Sequence, residues 1–134
     1  MKKIEHIGIA VKDIKVANDI YSKLLNTTPY KMEEVKSENV ITSFFQVGES
    51  KIELLEGTNP DSPITKFIAK RGEGVHHIAF EVDDIESEIK RLKEEGFVMI
   101  HDKPKEGADN KLIAFLHPKS SNGVLIELCQ EKEP

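Results

Sequence analysis

The sequence predicts an α+β fold: one domain, residues 1–134, built from two βαβββ modules related by a pseudo-two-fold. Three observations predict it. The string Glu5-His6-Ile7-Gly8-Ile9-Ala10-Val11-Lys12-Asp13-Ile14 returns as His76-His77-Ile78-Ala79-Phe80-Glu81-Val82-Asp83-Asp84-Ile85, an offset of 77 − 6 = 71. An acid inside an apolar run returns too, as Ile52-Glu53-Leu54-Leu55 and Leu125-Ile126-Glu127-Leu128, an offset of 127 − 53 = 74. Each copy also carries a helical periodicity directly after its first string. A short repeat signals a solenoid, whereas two long copies signal one domain with internal symmetry. Module 1 covers about residues 1–72 and module 2 about 73–134.

The elements follow in order. Ile4 to Val11 alternates, with Ile7, Ile9 and Val11 on one face and His6, Gly8 and Ala10 on the other, the pattern of a half-buried strand. Asp13 suits a helix cap. Ile14, Ala17, Ile20, Tyr21, Leu24 and Leu25 recur at helical spacing until Asn26 and Pro29 stop them. Strands are expected at Tyr30 to Lys36, Val40 to Val47 and Lys51 to Glu56, with Gly48-Glu49-Ser50 as a tight turn. Asn59-Pro60-Asp61-Ser62-Pro63 starts a short helix from Ile64 to Lys70, and Gly72 and Gly74 lead into the second copy. There the order repeats: a strand from Val75 to Val82, a helix from Asp84 to Glu95 ended by Gly96, and a strand from Phe97 to His101. A polar loop from Asp102 to Asn110 precedes strands at Lys111 to Leu116 and Gly123 to Cys129.

Composition excludes several classes. An apolar share of 38% and a charged share of 32% describe an ordinary globular chain. No apolar run approaches the roughly 20 residues of a membrane span. The start, Met-Lys-Lys-Ile-Glu-His, lacks the apolar stretch of a signal peptide. With Cys129 as the one cysteine, no intrachain disulfide forms, and a reducing cytoplasm is the expected location. Net charge is −5 and the lysines alternate with acids, so nucleic acid is not an expected partner.

The faces of the strands point to chemistry. On the first strand of each module a His precedes a small residue, His6 before Gly8 and His77 before Ala79, which leaves room before the imidazole. The apolar faces, Ile7 with Ile9 and Ile78 with Phe80, are expected against the helices. On the last strand Glu53 and Glu127 stand opposite their apolar neighbours. A carboxylate in mid-sheet is costly unless paired, solvated or coordinated. Two imidazoles and two carboxylates suit one first-row divalent ion shared by both halves, with two octahedral positions left for water or substrate. Cys129 shares a face with Glu127 near the strand end and is assigned a small apolar role. His76 points away from His77, His101 lies near a strand end, and His117 opens a turn.

At these residues the chain resembles the vicinal oxygen chelate superfamily, which includes glyoxalases and bleomycin-resistance proteins. Within it the chain is similar to methylmalonyl-CoA epimerases over nearly its whole length. The matching stretches are His6 to Val11, Lys51 to Ile64, Arg71 to Ile85, and Phe115-Leu116-His117-Pro118-Lys119-Ser120 with Gly123 to Leu128. The resemblance implies a cupped mixed sheet around a divalent ion (Co, Zn, Ni or Mn) held by His6, Glu53, His77 and Glu127. It also implies an acyl-CoA substrate and a homodimer. Bacterial glyoxalase I shares the His, Glu, His, Glu order and is the alternative enzyme. A metal-free binding protein of the same fold is the alternative from another class. The His-Pro-Lys-Ser turn and the Gly-Glu-Gly-Val-His-His run favour the epimerase. Some epimerases carry an extra Glu on the strand before Glu53; here Val40 to Phe45 has no acid, and Glu38 precedes it.

The implied reaction interconverts (R)- and (S)-methylmalonyl-CoA through a metal-stabilised enolate. Glu127 is the first base, by its match to the acid the family uses, and Glu53 the second, by symmetry and elimination. Lys119 and Ser120 are expected contacts for the acyl or phosphate part of CoA.

Overall fold

Alternation in the first ten residues becomes strand β1 (Lys3–Ala10), and Asp13 ends it by capping helix α1 (Ile14–Leu25). The Asp13 carboxylate accepts the Lys15 and Val16 N–H groups at 3.0 and 3.2 Å, donors that a helix start leaves unsatisfied. Asn26 closes α1 in the left-handed region at φ 53°. The structure is a computed structural model and describes residues 1–132.

The first module continues with β2 (Lys31–Val35), β3 (Val40–Val47) and β4 (Ser50–Gly57). Its strands lie in the order β2-β3-β4-β1. β4 runs parallel to β1, and the other pairings are antiparallel. A 3-10 turn, Lys36–Glu38, joins β2 to β3. Helix α2 (Pro63–Arg71) follows, capped by the Ser62 hydroxyl and opened by a proline whose missing N–H costs nothing there. It packs so tightly on the end of β4 that a Cβ at Gly57 would lie 2.0 Å from Thr65 Oγ1.

The second module comprises β5 (Gly74–Glu81), α3 (Ile85–Glu94), β6 (Lys105–Glu106), β7 (Lys111–Leu116) and β8 (Ile126–Glu131), with the strands ordered β5-β8-β7-β6. β8 runs parallel to β5 and antiparallel to β7. The chain is therefore α+β with βαβββ in each half. By compactness, residues 6–76 form one unit, and Met1–Glu5 joins the stretch from His77 onward in the other. No helix among the described residues is long and apolar enough to cross a membrane.

Each module fastens its helix in the same way. The Ile14 N–H donates to Glu56 Oε1 at 2.7 Å, and the Ile85 N–H to Gln130 Oε1 at 2.7 Å. These residues are equivalent by the repeat (14 + 71 = 85; 56 + 74 = 130). Beneath them lie two cores. Val11, Ile14, Ala17, Phe45 and Leu54 form one, with Ile9 packed against it. Val82, Ile85, Ile89, Leu92, Ala114, Leu116 and Leu128 form the other. Each fully buried Val, Leu, Ile or Phe side chain among them contributes about 1.5–3 kcal/mol.

Three expectations are corrected. Phe97 to His101 is no full strand: only Met99 bridges Leu116, because the ladder breaks at His101. The Asp102–Asn110 loop holds the two-residue strand β6, paired with Leu112 and Ile113. The final strand starts at Ile126 rather than Gly123, because a 3-10 turn (Pro118–Ser120) and a further turn closed by Val124 N–H to Ser121 O occupy the preceding residues. On β1 and β5 the face with His and its small neighbour is the more deeply buried. Of the apolar face, Ile9 joins the helix core while Ile7, Ile78 and Phe80 are half-buried.

Candidate metal centre and active site

Strand register builds a His–Glu pair in each module. Gly8 stands opposite Glu53 on the parallel strands β1 and β4, and Ala79 opposite Glu127 on β5 and β8. Residues two apart on a strand share a face, so each His lies beside the small residue that its Glu confronts. Without bulk at that position the carboxylate reaches the ring. Glu53 Oε2 lies 3.0 Å from His6 Nδ1, and Glu127 Oε1 lies 3.1 Å from His77 Nε2. All four side chains are nearly enclosed, with His6 4%, Glu53 6%, His77 5% and Glu127 5% exposed.

A third strand completes each wall. Phe44 on β3 is in register with Glu53, and Phe115 on β7 with Glu127. These two phenylalanines are also equivalent by the repeat (44 + 71 = 115). The Phe115 ring meets His77 edge-on, with centroids 5.7 Å apart at 84°.

The donor set fits a divalent cation. A buried carboxylate needs a proton, a partner or a metal, and an imidazole nitrogen three ångströms away serves either of the last two. Imidazole nitrogen and carboxylate oxygen are the ligands that Zn and its first-row neighbours accept. Within a module the pair either shares a proton or presents two lone pairs to an ion, so cation binding competes with protons.

The other named residues lie outside these pairs. Lys119 and Ser120 occupy the 3-10 turn between β7 and β8. The Ser120 hydroxyl accepts the Val98 N–H at 2.9 Å, and the Lys119 N–H donates to His117 Nδ1 at 3.2 Å. His76 packs edge-on against Phe67, with centroids 4.9 Å apart. Cys129 is fully buried beside Ala79 and Ile113, with Sγ 3.6 Å from the Phe80 carbonyl. The sequence reading missed Phe44 and Phe115 as site walls. The same offset that pairs His6 with His77 pairs them too, and comparing the copies position by position would have found them.

Comparison with known proteins places this arrangement. Residues 5–115 match the pattern of the Glyoxalase/Bleomycin resistance protein/Dioxygenase superfamily, and the chain belongs to it. Its relatives there include named epimerases. An ethylmalonyl-CoA/methylmalonyl-CoA epimerase of Cereibacter sphaeroides is 38% identical over 96% of this chain and 97% of its own length. A Streptomyces coelicolor methylmalonyl-CoA epimerase variant, solved in complex with 2-nitronate-propionyl-CoA, is 33% identical with a TM-score of 0.94, over 100% of this chain and 99% of that one. A hypothetical protein from Bacillus halodurans is 50% identical with a TM-score of 0.95, over 98% and 96%. Named epimerases at this likeness support epimerase activity for this chain.

Proposed function

We propose that this chain is a methylmalonyl-CoA epimerase in which His6, Glu53, His77 and Glu127 hold one divalent ion. The observation that supports it most is the repeated His–Glu pair, built in both modules by one register rule, in a chain whose relatives carry that name. The carbon to be inverted lies between a thioester and a carboxylate. Its proton must leave from one face and return on the other, which takes two acid–base groups. Glu127 removes the proton. With the ion in place His77 would hold it beside Glu127, and one Glu127 oxygen forms the new O–H bond. Glu53, which would carry a proton and so loosen from the ion during turnover, delivers that proton to the carbon from the other face, and exchange with solvent returns both carboxyl groups to their starting states. When bound, the ion supplies Lewis-acid stabilisation of the negative charge that develops on the thioester oxygen. Lys119 and Ser120 contact the acyl or phosphate part of CoA, and the enzyme works as a cytoplasmic homodimer.

Solvent-deuterium exchange at the α-carbon of methylmalonyl-CoA tests the reading, with wild type beside Glu127→Gln, Glu53→Gln and Glu38→Gln and metal content measured in each. Rapid exchange in wild type, lost in Glu127→Gln with metal retained, is the expected result. No exchange by metal-loaded wild type, with turnover of the methylglyoxal–glutathione adduct, would transfer the assignment to glyoxalase I, which shares the ligand order.

A further inference from the structure

We propose that His101 is a positioning residue for the His77–Glu127 pair, acting through Phe115. This deepens the epimerase reading and rests on it. Residues 98–101 begin an antiparallel ladder along β7: the His117 N–H donates to the Val98 carbonyl at 2.8 Å, and the Ile100 N–H to the Phe115 carbonyl at 2.8 Å. A regular ladder would return the Phe115 N–H to the Ile100 carbonyl. That N–H goes instead to His101 Nδ1, at 3.2 Å. A nitrogen that accepts carries its lone pair, so the His101 ring proton sits on Nε2.

The imidazole also packs on the residue it anchors. The His101 and Phe115 rings lie 5.7 Å apart at 60°, while Phe115 presents its ring to the edge of His77, also at 5.7 Å. Phe115 is thus held between two imidazoles: its backbone is fixed by one, and its ring backs the other. It is also the register partner of Glu127. A half-buried N–H in mid-strand demands an acceptor, and losing it displaces the strand at the residue that backs His77.

The first module supplies an internal comparison. Tyr30 is the equivalent of His101 (30 + 71 = 101). Its N–H donates to the Phe44 carbonyl at 2.9 Å and its ring lies 5.7 Å from Phe44. The aromatic backing is therefore common to both modules. A ring nitrogen accepting from the strand belongs to the module that carries Glu127.

Three variants of the full chain test this. His101→Asn keeps an acceptor near the Nδ1 position, His101→Phe keeps a ring without one, and Phe115→Leu keeps the anchor but removes the ring from His77. The readouts are Co²⁺ affinity by calorimetry, the His77 imidazole NMR signals of the metal-free protein, the thermal midpoint, and kcat against KM. His101→Phe and Phe115→Leu are expected to weaken Co²⁺ binding about 10-fold, the size of effect that ligand-orienting partners have. Both should shift the His77 signals and lower kcat more than KM, while His101→Asn stays near wild type. A lower thermal midpoint in His101→Phe with Co²⁺ affinity and His77 signals unchanged would reduce His101 to a structural role and overturn the proposal. So would a His101→Asn variant as impaired as His101→Phe. If His101→Phe does not fold, Phe115→Leu and His101→Asn decide by the same readouts. Wild type inactive on methylmalonyl-CoA would remove the epimerase assignment, while the affinity and NMR results would still decide the role of His101.

Discussion

Ala79 stands directly across the parallel ladder from Glu127. It is fully buried and shares its cluster with Ile113, Cys129 and Phe115. Neighbouring strands lie only about 4.8 Å apart. Ala79→Val adds two methyl-sized groups beside Glu127. It is expected to cost about 1–3 kcal/mol of stability through overpacking and to weaken Co²⁺ binding in the same protein. Calorimetric titration with Co²⁺ and urea denaturation would check both. Wild-type affinity in a folded variant would show that the small residue does not make room for the pair.

Gln130 performs a backbone duty from a side chain. Its Oε1 accepts the Ile85 N–H at the start of α3, where no carbonyl is available. Gln130→Leu should lower stability by about 1–2 kcal/mol, the scale of a lost helix-start acceptor. Gln130→Glu, which keeps an oxygen and matches Glu56 in the first module, should lose less. Urea midpoints of the two variants, compared at constant slope, decide the matter.

Asp84 makes the stability of α3 depend on acidity. The Ser87 backbone N–H, bonded at 3.2 Å, and then the Ser87 side chain hold its carboxyl below the ordinary aspartate value. A carboxyl lowered in the folded state stabilises above its unfolded pKa, about 3.9, and that contribution disappears as pH falls through the folded value. Wild type should therefore lose thermal stability relative to Asp84→Asn between about pH 5 and pH 3, with a constant difference near neutrality. Parallel curves for the two proteins across that range would refute the assignment.

Much of this was legible in the sequence because local chemistry and tertiary demand agree. Val40–Val47 and Lys111–Leu116 are apolar-rich runs ended by turn residues and match the expected bounds. Ile14–Leu25 has its cap at Asp13 and its stop at Asn26. The His–Glu sets were readable because the chain states them twice. What escaped depends on contacts distant in the sequence. The strand Lys105–Glu106 is too short to show a period. It forms against β7 beside Gly107, where even one methyl would press on Ile113 at 2.8 Å. The full burial of Glu5, 2% exposed on a face read as apolar, has no local signature either. The ladder break at His101 required knowing that an imidazole would take the place of a carbonyl.

The Ser120 hydroxyl accepts the Val98 N–H and ties two distant stretches of the chain together. An oxygen with that task is retained by folding whatever ligand the protein meets. A substitution at Ser120 therefore disturbs the turn as well as any ligand the turn meets.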